Sequence, residues 1–315
     1  MATDNGIGII DSHTHPFGNS NVDLTDKIKS KRDAVTLRFR HPEAYREFWT
    51  NREDAGDLLI EDMNAAGISR TVVQPSVGEG NQGVINMIKR HPDRLVGLFN
   101  VGDPELVTKH PTDGRPVRAY QGRPTQETQA EFAAEVKHYV EDIGLKGCGE
   151  ILGFTKHSAP ELIAEDLTPL LEVLSDYRLP LQIPTGWSQF PTALYHGVPF
   201  FVDDLAERFP EVPIIITKMG RGYSFIFEVA LAVAFKHYNV YLDTVQAPAE
   251  HIARAVSELG ADRVLYGTDW SMSWRQANMP NGIYNNTLAV IEDASLSAAD
   301  KEWVLGKTCA SVFGI

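Results

Sequence analysis

Eight short runs rich in β-branched residues alternate with longer amphipathic stretches along this chain of 315 residues, and that rhythm limits the fold more than any other feature. The runs are IGIIDSH (7–13), RTVVQP (70–75), RLVGLFNV (94–101), LKGCGEI (145–151), PLQIPT (180–185), VPIIITK (212–218), NVYLDT (239–244) and DRVLYGTD (262–269). Between them, DLLIEDMNAAG, GVINMIKRH, TQAEFAAEVKHYVEDIG, LTPLLEVLSDYR, FFVDDLAERFP, SFIFEVALAVAFKHY and AEHIARAVSELG carry helical patterns, and another follows residue 281. Alternating strands and helices build parallel sheets. Eight strands favour a closed (β/α)8 TIM barrel over a doubly wound sheet, which more often has about five to seven. The length suits one such α/β domain over 1–315. A last helix, SAADKEWVLGKTCASVFGI, is expected to begin at Ser297 as N-cap with Asp300 at N3.

Two segments break the rhythm. Residues 17–56, charged and aromatic, follow the first strand, and residues 103–124, polar with Pro and Gly, follow the third. In a barrel both would emerge at the C-terminal face of the strands, where long loops serve as lids or substrate-binding elements. A surface excursion without function is the plain alternative for the second. A formal net charge of −13 argues against nucleic acid or an anionic membrane as partner. The expected partners are a small-molecule substrate and, at most, a second copy of the chain in a homodimer. Two cysteines, Cys148 and Cys309, offer neither a disulfide framework nor a thiolate metal cluster. With no signal-peptide pattern in MATDNG and no membrane-spanning apolar run, a cytoplasmic location is expected.

In a barrel, reactive groups sit at the C-terminal ends of the strands. The first run ends in IIDSHTHP, where His13 and His15, two residues apart in an extended chain, share a face. Alone, such a pair is as readily a surface feature as a grip on one object. The other strand ends add weight: Glu150 closes the fourth, Lys218 the sixth and Asp269 the eighth. Charges that close apolar strands at one end cost desolvation unless they bind something or one another.

These strings resemble the amidohydrolase superfamily, in its amidohydrolase-related branch that includes aminocarboxymuconate-semialdehyde decarboxylase. IIDSHTHP, LLIEDMNAAGISRTVV, LPLQIPTG, RFPEVPIIITKMG, DRVLYGTDW and the closing GKTCASVFGI carry the resemblance, which runs nearly end to end apart from the two insertions. It implies a metal-centred enzyme with His13 and His15 as ligands, and Asp269 as a further ligand or as the base that takes a proton from water. Neutral imidazoles suit zinc, and a cation lowers the pKa of water to about 7.

The chain departs from the branch at two positions. A histidine is usual in strand 5 and again in strand 6; here those positions hold Pro184 and Lys218. Proline has no ligand atom, and a protonated lysine repels a cation. Glu150 resembles the strand-4 glutamate of other superfamily members, the TatD-like deoxyribonucleases among them. His13, His15, Glu150 and Asp269 would then form an N2O2 set for zinc or manganese. His157 and His196, in the following loops, are further candidates that are more often plain surface histidines. The opposing expectation is a metal-free site in which Lys218 itself balances Glu150 and Asp269 and polarises a carbonyl. Carbamylation of Lys218 is a third option.

Phe17, Trp187, Tyr223, Trp270 and Trp274 follow strand ends, with Arg221 in the MGRG turn. Together they would sandwich a cyclic or aromatic substrate and clamp an acidic group, unless the aromatics only cap the barrel and Arg221 only pairs with an acidic neighbour. The expected activity is hydrolysis of a small cyclic or aromatic amide- or lactone-type substrate. Asp269 and Lys218 are the catalytic groups of that expectation. The runner-up is non-oxidative decarboxylation or a related lyase step, and a non-catalytic binding protein is the third. The retained DSHTH and GTDW strings count against the last.

Overall fold

The computed structural model describes residues 7–18, 24, 26–49, 53–75, 80–100, 107–109, 116–118, 133–151, 160–186, 197–271 and 282–315. Eight parallel staves close into a barrel: β1 (Ile9–Thr14), β2 (Ile68–Val73), β3 (Leu95–Gly97), β4 (the bridge residue Cys148), β5 (Leu181–Pro184), β6 (Ile214–Thr217), β7 (Val240–Asp243) and β8 (Val264–Leu265). Two ladders run β1-β2-β3 and β5-β6-β7-β8. Cys148 joins them, bridging Phe99 on one side and Leu181 on the other. The ring closes where Thr14 bridges Trp270, with Ser12 N–H donating to Tyr266 O at 2.8 Å and Asp269 N–H to His13 O at 2.9 Å.

The staves are shorter than the apolar runs that announce them. The run 145–151 reduces to one bridge residue, and 262–269 to two strand residues followed by irregular bonded chain. Side-chain direction survives that shortening, because strand residues alternate between faces. Ile214, Ile216, Leu181, Ile183, Val240, Leu242 and Val264 face outward into the main core, packed with helix residues such as Leu59, Met63, Leu205 and Ile252. Their neighbours Ile10, Val72, Leu98, Ile215 and Leu265 face inward and meet Cys309, Ala310 and Phe313 of the last helix. That helix therefore plugs the N-terminal end of the barrel.

Helices follow the expected stretches, among them Gly56–Ala66, Gly80–Arg90, Phe200–Arg208, Ser224–Lys236, Ala249–Leu259 and Ile283–Asp293. Ser297 caps the closing helical segment, accepting from Asp300 N–H at 3.1 Å. In the first insertion, Phe17–Gly18 pairs antiparallel with Glu53–Asp54, and helices Lys31–Arg40 and Pro42–Trp49 enclose a small core of Leu24, Leu37 and Tyr45. The described part of the second insertion is the ribbon Val107–Lys109 with Pro116–Arg118. No helix among the described residues is long and apolar enough to cross a membrane. Both cysteines are buried thiols.

Candidate active site

The inward-facing positions turn polar toward the C-terminal end of the staves. First comes an uncharged layer: Gln74 donates to Gln182, and Gln182 donates to Ser12 O at 2.8 Å. Above it stand His13, His15, Glu150, Lys218, Asp243 and Asp269. The structure thus brings together all five charged or imidazole residues expected at strand ends, and adds one.

The addition is Asp243, at the end of β7. It accepts from His13 Nδ1 at 2.8 Å, and from the Lys218 N–H at 2.6 Å and the Val245 N–H at 3.1 Å. A charged residue closing the run NVYLDT was the signal for it in the sequence. By taking the Nδ1 proton, Asp243 leaves the Nε2 lone pair of His13 aimed at the centre, the arrangement that metal-binding histidines use.

Around that centre, Glu150 Oε1 lies 3.5 Å from His13 Nε2, and Glu150 Oε2 lies 3.5 Å from His15 Nε2. Donor atoms of these three residues gather within 4.8 Å of one another. A tetrahedral ion with bonds of about 2.1 Å needs donors roughly 3.4 Å apart, so the triad fits a divalent metal. Asp269 stands beside the triad, its Oδ1 3.6 Å from His13 Nε2 and 3.8 Å from His15 Nε2. Lys218 Nζ reaches the same lone pairs: it is 2.5 Å from Glu150 Oε1, 3.2 Å from His13 Nε2 and 3.8 Å from Asp269 Oδ2. The ammonium and a metal ion compete for these donors. Pro184 is half-buried on the inward face of β5 and adds no ligand.

Burial and charge set the protonation states. Burial works against ionising Glu150, yet Lys218 and then His13 and His15 hold its carboxyl well below the usual range. The same cations outweigh burial at Asp269 and hold it down as well. Burial dominates at His15 and lowers it, keeping that imidazole neutral. At His13, burial and Lys218 press downward but Glu150 and Asp243 prevail, and the net shift is upward. Exposure marks the open side of the site: His15 and Asp269 are 16% and 15% exposed, against 0% for His13 and 1% for Lys218.

Lys218 owes its position to an unusual turn. From Lys218 to Gly222 every φ is positive, at 73, 38, 76, 55 and 78°. Left-handed backbone costs about 1–2 kcal/mol for each non-glycine residue, here Lys218, Met219 and Arg221. Two bonds to side chains hold it: Lys218 N–H to Asp243, and Gly220 N–H to Thr185 Oγ1 at 3.0 Å. Gly220 is required on a second count, since a Cβ there would sit 2.8 Å from Phe227 N. Strain of this kind persists only where the surroundings enforce it, and it concentrates at functional sites.

The expected substrate-binding residues divide. Arg221 lies beside the site, its stem against Gly186, where an added Cβ would meet Arg221 Cγ at 2.8 Å. Tyr223 follows the turn and is 44% exposed. Phe17 and Trp270 are fully buried in the main core, and the Trp270 indole N–H donates to Asp62 at 3.0 Å, so packing accounts for both. Trp187, His196, His157 and Trp274 lie outside the described residues.

A family model described as Amidohydrolase matches residues 10–315. The chain belongs to the amidohydrolase family. It is therefore an enzyme of that superfamily, built on the TIM barrel described above. Among curated proteins, none matches this amidohydrolase in sequence. Solved structures resemble it in fold. A probable 2-pyrone-4,6-dicarboxylic acid hydrolase from Acinetobacter baumannii is 15% identical, with 98% of this chain and 99% of that chain covered and a TM-score of 0.60. A 4-oxalomesaconate hydratase from Rhodopseudomonas palustris is 17% identical, with 97% and 95% covered and a TM-score of 0.57. An IDCase from Metarhizium anisopliae is 14% identical, with 100% and 98% covered and a TM-score of 0.61.

Proposed function

We propose that this amidohydrolase hydrolyses a small cyclic or aromatic substrate of the lactone or amide type, with zinc held by His13, His15 and Glu150. The observation that carries the reading is the position of Asp269. Its carboxylate lies on the open side, ionised, and within 4 Å of both imidazoles and the Lys218 ammonium. A divalent ion on the triad supplies charge that acidifies water and polarises a carbonyl.

The chain's own groups do the rest. Asp269 accepts a proton as water oxygen bonds to the carbonyl carbon. Lys218, buried beside Asp269, faces the negative charge that develops on the carbonyl oxygen. The C–O or C–N bond then breaks, and Asp269 returns its proton to the leaving group. His15 stands at the entrance in neutral form, the form whose lone pair can hold the ion.

Proton affinity favours the metal-bearing version. Water at its ordinary pKa lies far above the lowered Asp269 carboxyl, too far for Asp269 alone to take its proton. A divalent ion held by the triad would lower the pKa of water to about 7 and narrow that gap. The contact of Lys218 Nζ with Glu150 and His13 supports a second reading, metal-free hydrolysis with Lys218 as the electrophile. One relative in fold is described as a probable hydrolase of a dicarboxylated 2-pyrone, itself a cyclic lactone, in keeping with this substrate type.

The test is elemental analysis and chelation, with lactone and cyclic amide turnover followed in labelled water. Near-stoichiometric zinc, activity lost on chelation and labelled oxygen in the product are expected. Full activity after chelation, abolished in Lys218→Ala, would favour the second reading. Carbon dioxide released in step with product, without solvent oxygen in it, would replace hydrolysis with decarboxylation.

A further inference from the structure

At the N-terminal end of the barrel, opposite the mouth, a cleft of about 440 Å³ crosses the rim beneath β2, β3 and β4. Ladder register explains how it forms. Thr71 pairs with Leu95 and Val72 with Val96, and the Lys146 N–H donates to Gly97 O at 2.9 Å. Arg70, two residues before the inward-facing Val72, shares the inner face of β2 and pairs in register with Ile10. Val96 faces the same way on β3, and Lys146 stands on the next stave, two residues before the bridge at Cys148. Staves lie about 4.8 Å apart, so two spacings set the Arg70 and Lys146 backbones about 10 Å apart on either side of Val96. Half-buried Ile88, Ile143 and Ile315 add further hydrocarbon around that gap.

The charge in these walls runs against that of the whole chain, which has 42 acidic and 29 basic residues. Elsewhere on the surface Arg90, Lys236, Arg254 and Lys301 each sit against a carboxylate. Arg70, Lys89 and Lys146 line the cleft exposed, and among the described residues none of their side chains has a hydrogen-bond or ion-pair partner. Arg94, the fourth cation, donates to Ser69 O at 2.7 Å, Asn64 Oδ1 at 2.8 Å and Ile68 O at 2.9 Å. Those acceptors are neutral and leave its charge uncompensated. Asp93 is the one acidic side chain among the described lining residues. With the Ile315 carboxylate counted as well, four positive charges face two negative ones.

We propose that this cleft is a second ligand site, one that takes a small organic anion: an apolar body carrying two negative charges, as a phosphate monoester or a dicarboxylate. Val96 and the three isoleucines match the body, and the unpaired cations at the edge match the head. The volume lies within the range of small-molecule sites, roughly 300–1,000 Å³. A neutral ligand would leave the cations unmatched, and inorganic phosphate would leave the hydrocarbon uncovered. The bound anion bridges β2, the chain entering β4 and the end of the last helix, and so stabilises the fold by mass action. Nothing in this site depends on the chemistry at the mouth, from which its residues are separated by the length of the staves.

Calorimetry on the full chain at low ionic strength tests this, with phenyl phosphate, phthalate, inorganic phosphate and benzyl alcohol as probes. Phenyl phosphate or phthalate should bind at least about tenfold more tightly than inorganic phosphate or benzyl alcohol. Whichever of the two acids binds more tightly identifies the head group. The triple variant Arg70→Ser, Lys89→Ser, Lys146→Ser removes three exposed charges and should weaken that binding about tenfold or more. If the mouth binds the same acid, the stoichiometry should fall from two to one in the triple variant. Circular dichroism establishes that the variant is folded, and Lys146→Glu alone, weakened several-fold, carries the same test with a single change. The melting temperature of the wild type should rise with phenyl phosphate concentration, and that of the triple variant should rise less. Unchanged affinity and stoichiometry in the triple variant would assign the binding to the mouth and overturn the second site. Benzyl alcohol binding as tightly as the acids, or no saturable binding of either acid, would overturn it too.

Discussion

At the N-terminal end of the barrel, Ile10, Val72, Leu98, Ile215 and Leu265 fill the interior with hydrocarbon under the last helix. Three or four residues farther along the same staves, His13, Lys218 and Asp269 fill it with charge. The floor gains free energy from burial. A fully buried Ile or Leu side chain contributes about 1.5–3 kcal/mol. The mouth loses free energy: buried ions are costly even when paired, and the left-handed turn adds backbone strain. One end of each stave stabilises what the other end spends, and the uncharged layer of Gln74, Gln182 and Ser12 separates the two.

If the division holds, substitutions at the mouth should cost activity and spare stability, whereas substitutions at the floor should do the reverse. The largest effect is expected for Asp269→Asn. An amide cannot take the proton, so turnover should fall by about 10³-fold or more, about 4 kcal/mol in the barrier, with a melting temperature close to wild type. Near-normal turnover in the folded variant would remove Asp269 from the chemistry. Next comes Ile215→Ala at the floor, which leaves a cavity beneath the polar layer. Urea unfolding should show a loss of about 3 kcal/mol, with kcat per folded molecule unchanged. A matching fall in kcat would mean that the floor positions the mouth.

The smallest effect concerns Asp11, which sits between the two ends on β1. It accepts from Thr268 Oγ1 at 2.6 Å and from the N–H groups of Thr268 and His13, tying the first stave to the chain beyond the last. Burial pushes its carboxyl up to about 7 against these bonds. The folded state then holds the proton between pH 3.8 and about 7, so this contribution is complete below 3.8 and is lost as pH rises through 7. Asp11→Asn abolishes that titration. Relative to wild type, the variant should gain about 2 kcal/mol between pH 5 and 7 in urea unfolding. A constant difference across that window would show that Asp11 stays ionised in the folded protein.

Much of the fold was legible because its signals are local. β-branched runs at barrel spacing point to staves, and period-2 alternation tells inside from outside before any contact is known. The ends of the staves were harder: 145–151 has the length of a strand, yet the ladder touches it only at Cys148. At the site, His13, His15, Glu150, Lys218 and Asp269 were visible as charges that close apolar strands. Asp243 meets the same criterion and was passed over, because a lone aspartate before threonine also reads as an ordinary strand terminator. Phe17 and Trp270 show the opposite failing. Proximity in sequence to a ligand does not tell whether an aromatic ring faces the site or the core behind it. Nothing in KMGRG announces a left-handed turn, since two glycines permit one without requiring it.

The closure of the barrel has a consequence in time. Asp11 and Thr268, bonded at the seam, are 257 residues apart in the chain. A ribosome adding about 5–20 residues per second takes roughly 13–50 s to bridge that interval. For most of it His13 and His15 exist without Asp243, and throughout it without Asp269, as a pair of imidazoles on a strand that lacks one neighbour. Metal captured then would be held by an incomplete ligand set and exchanged readily. Selectivity for an ion bound at this site would therefore be acquired only at the end of synthesis, when the last stave reaches the first.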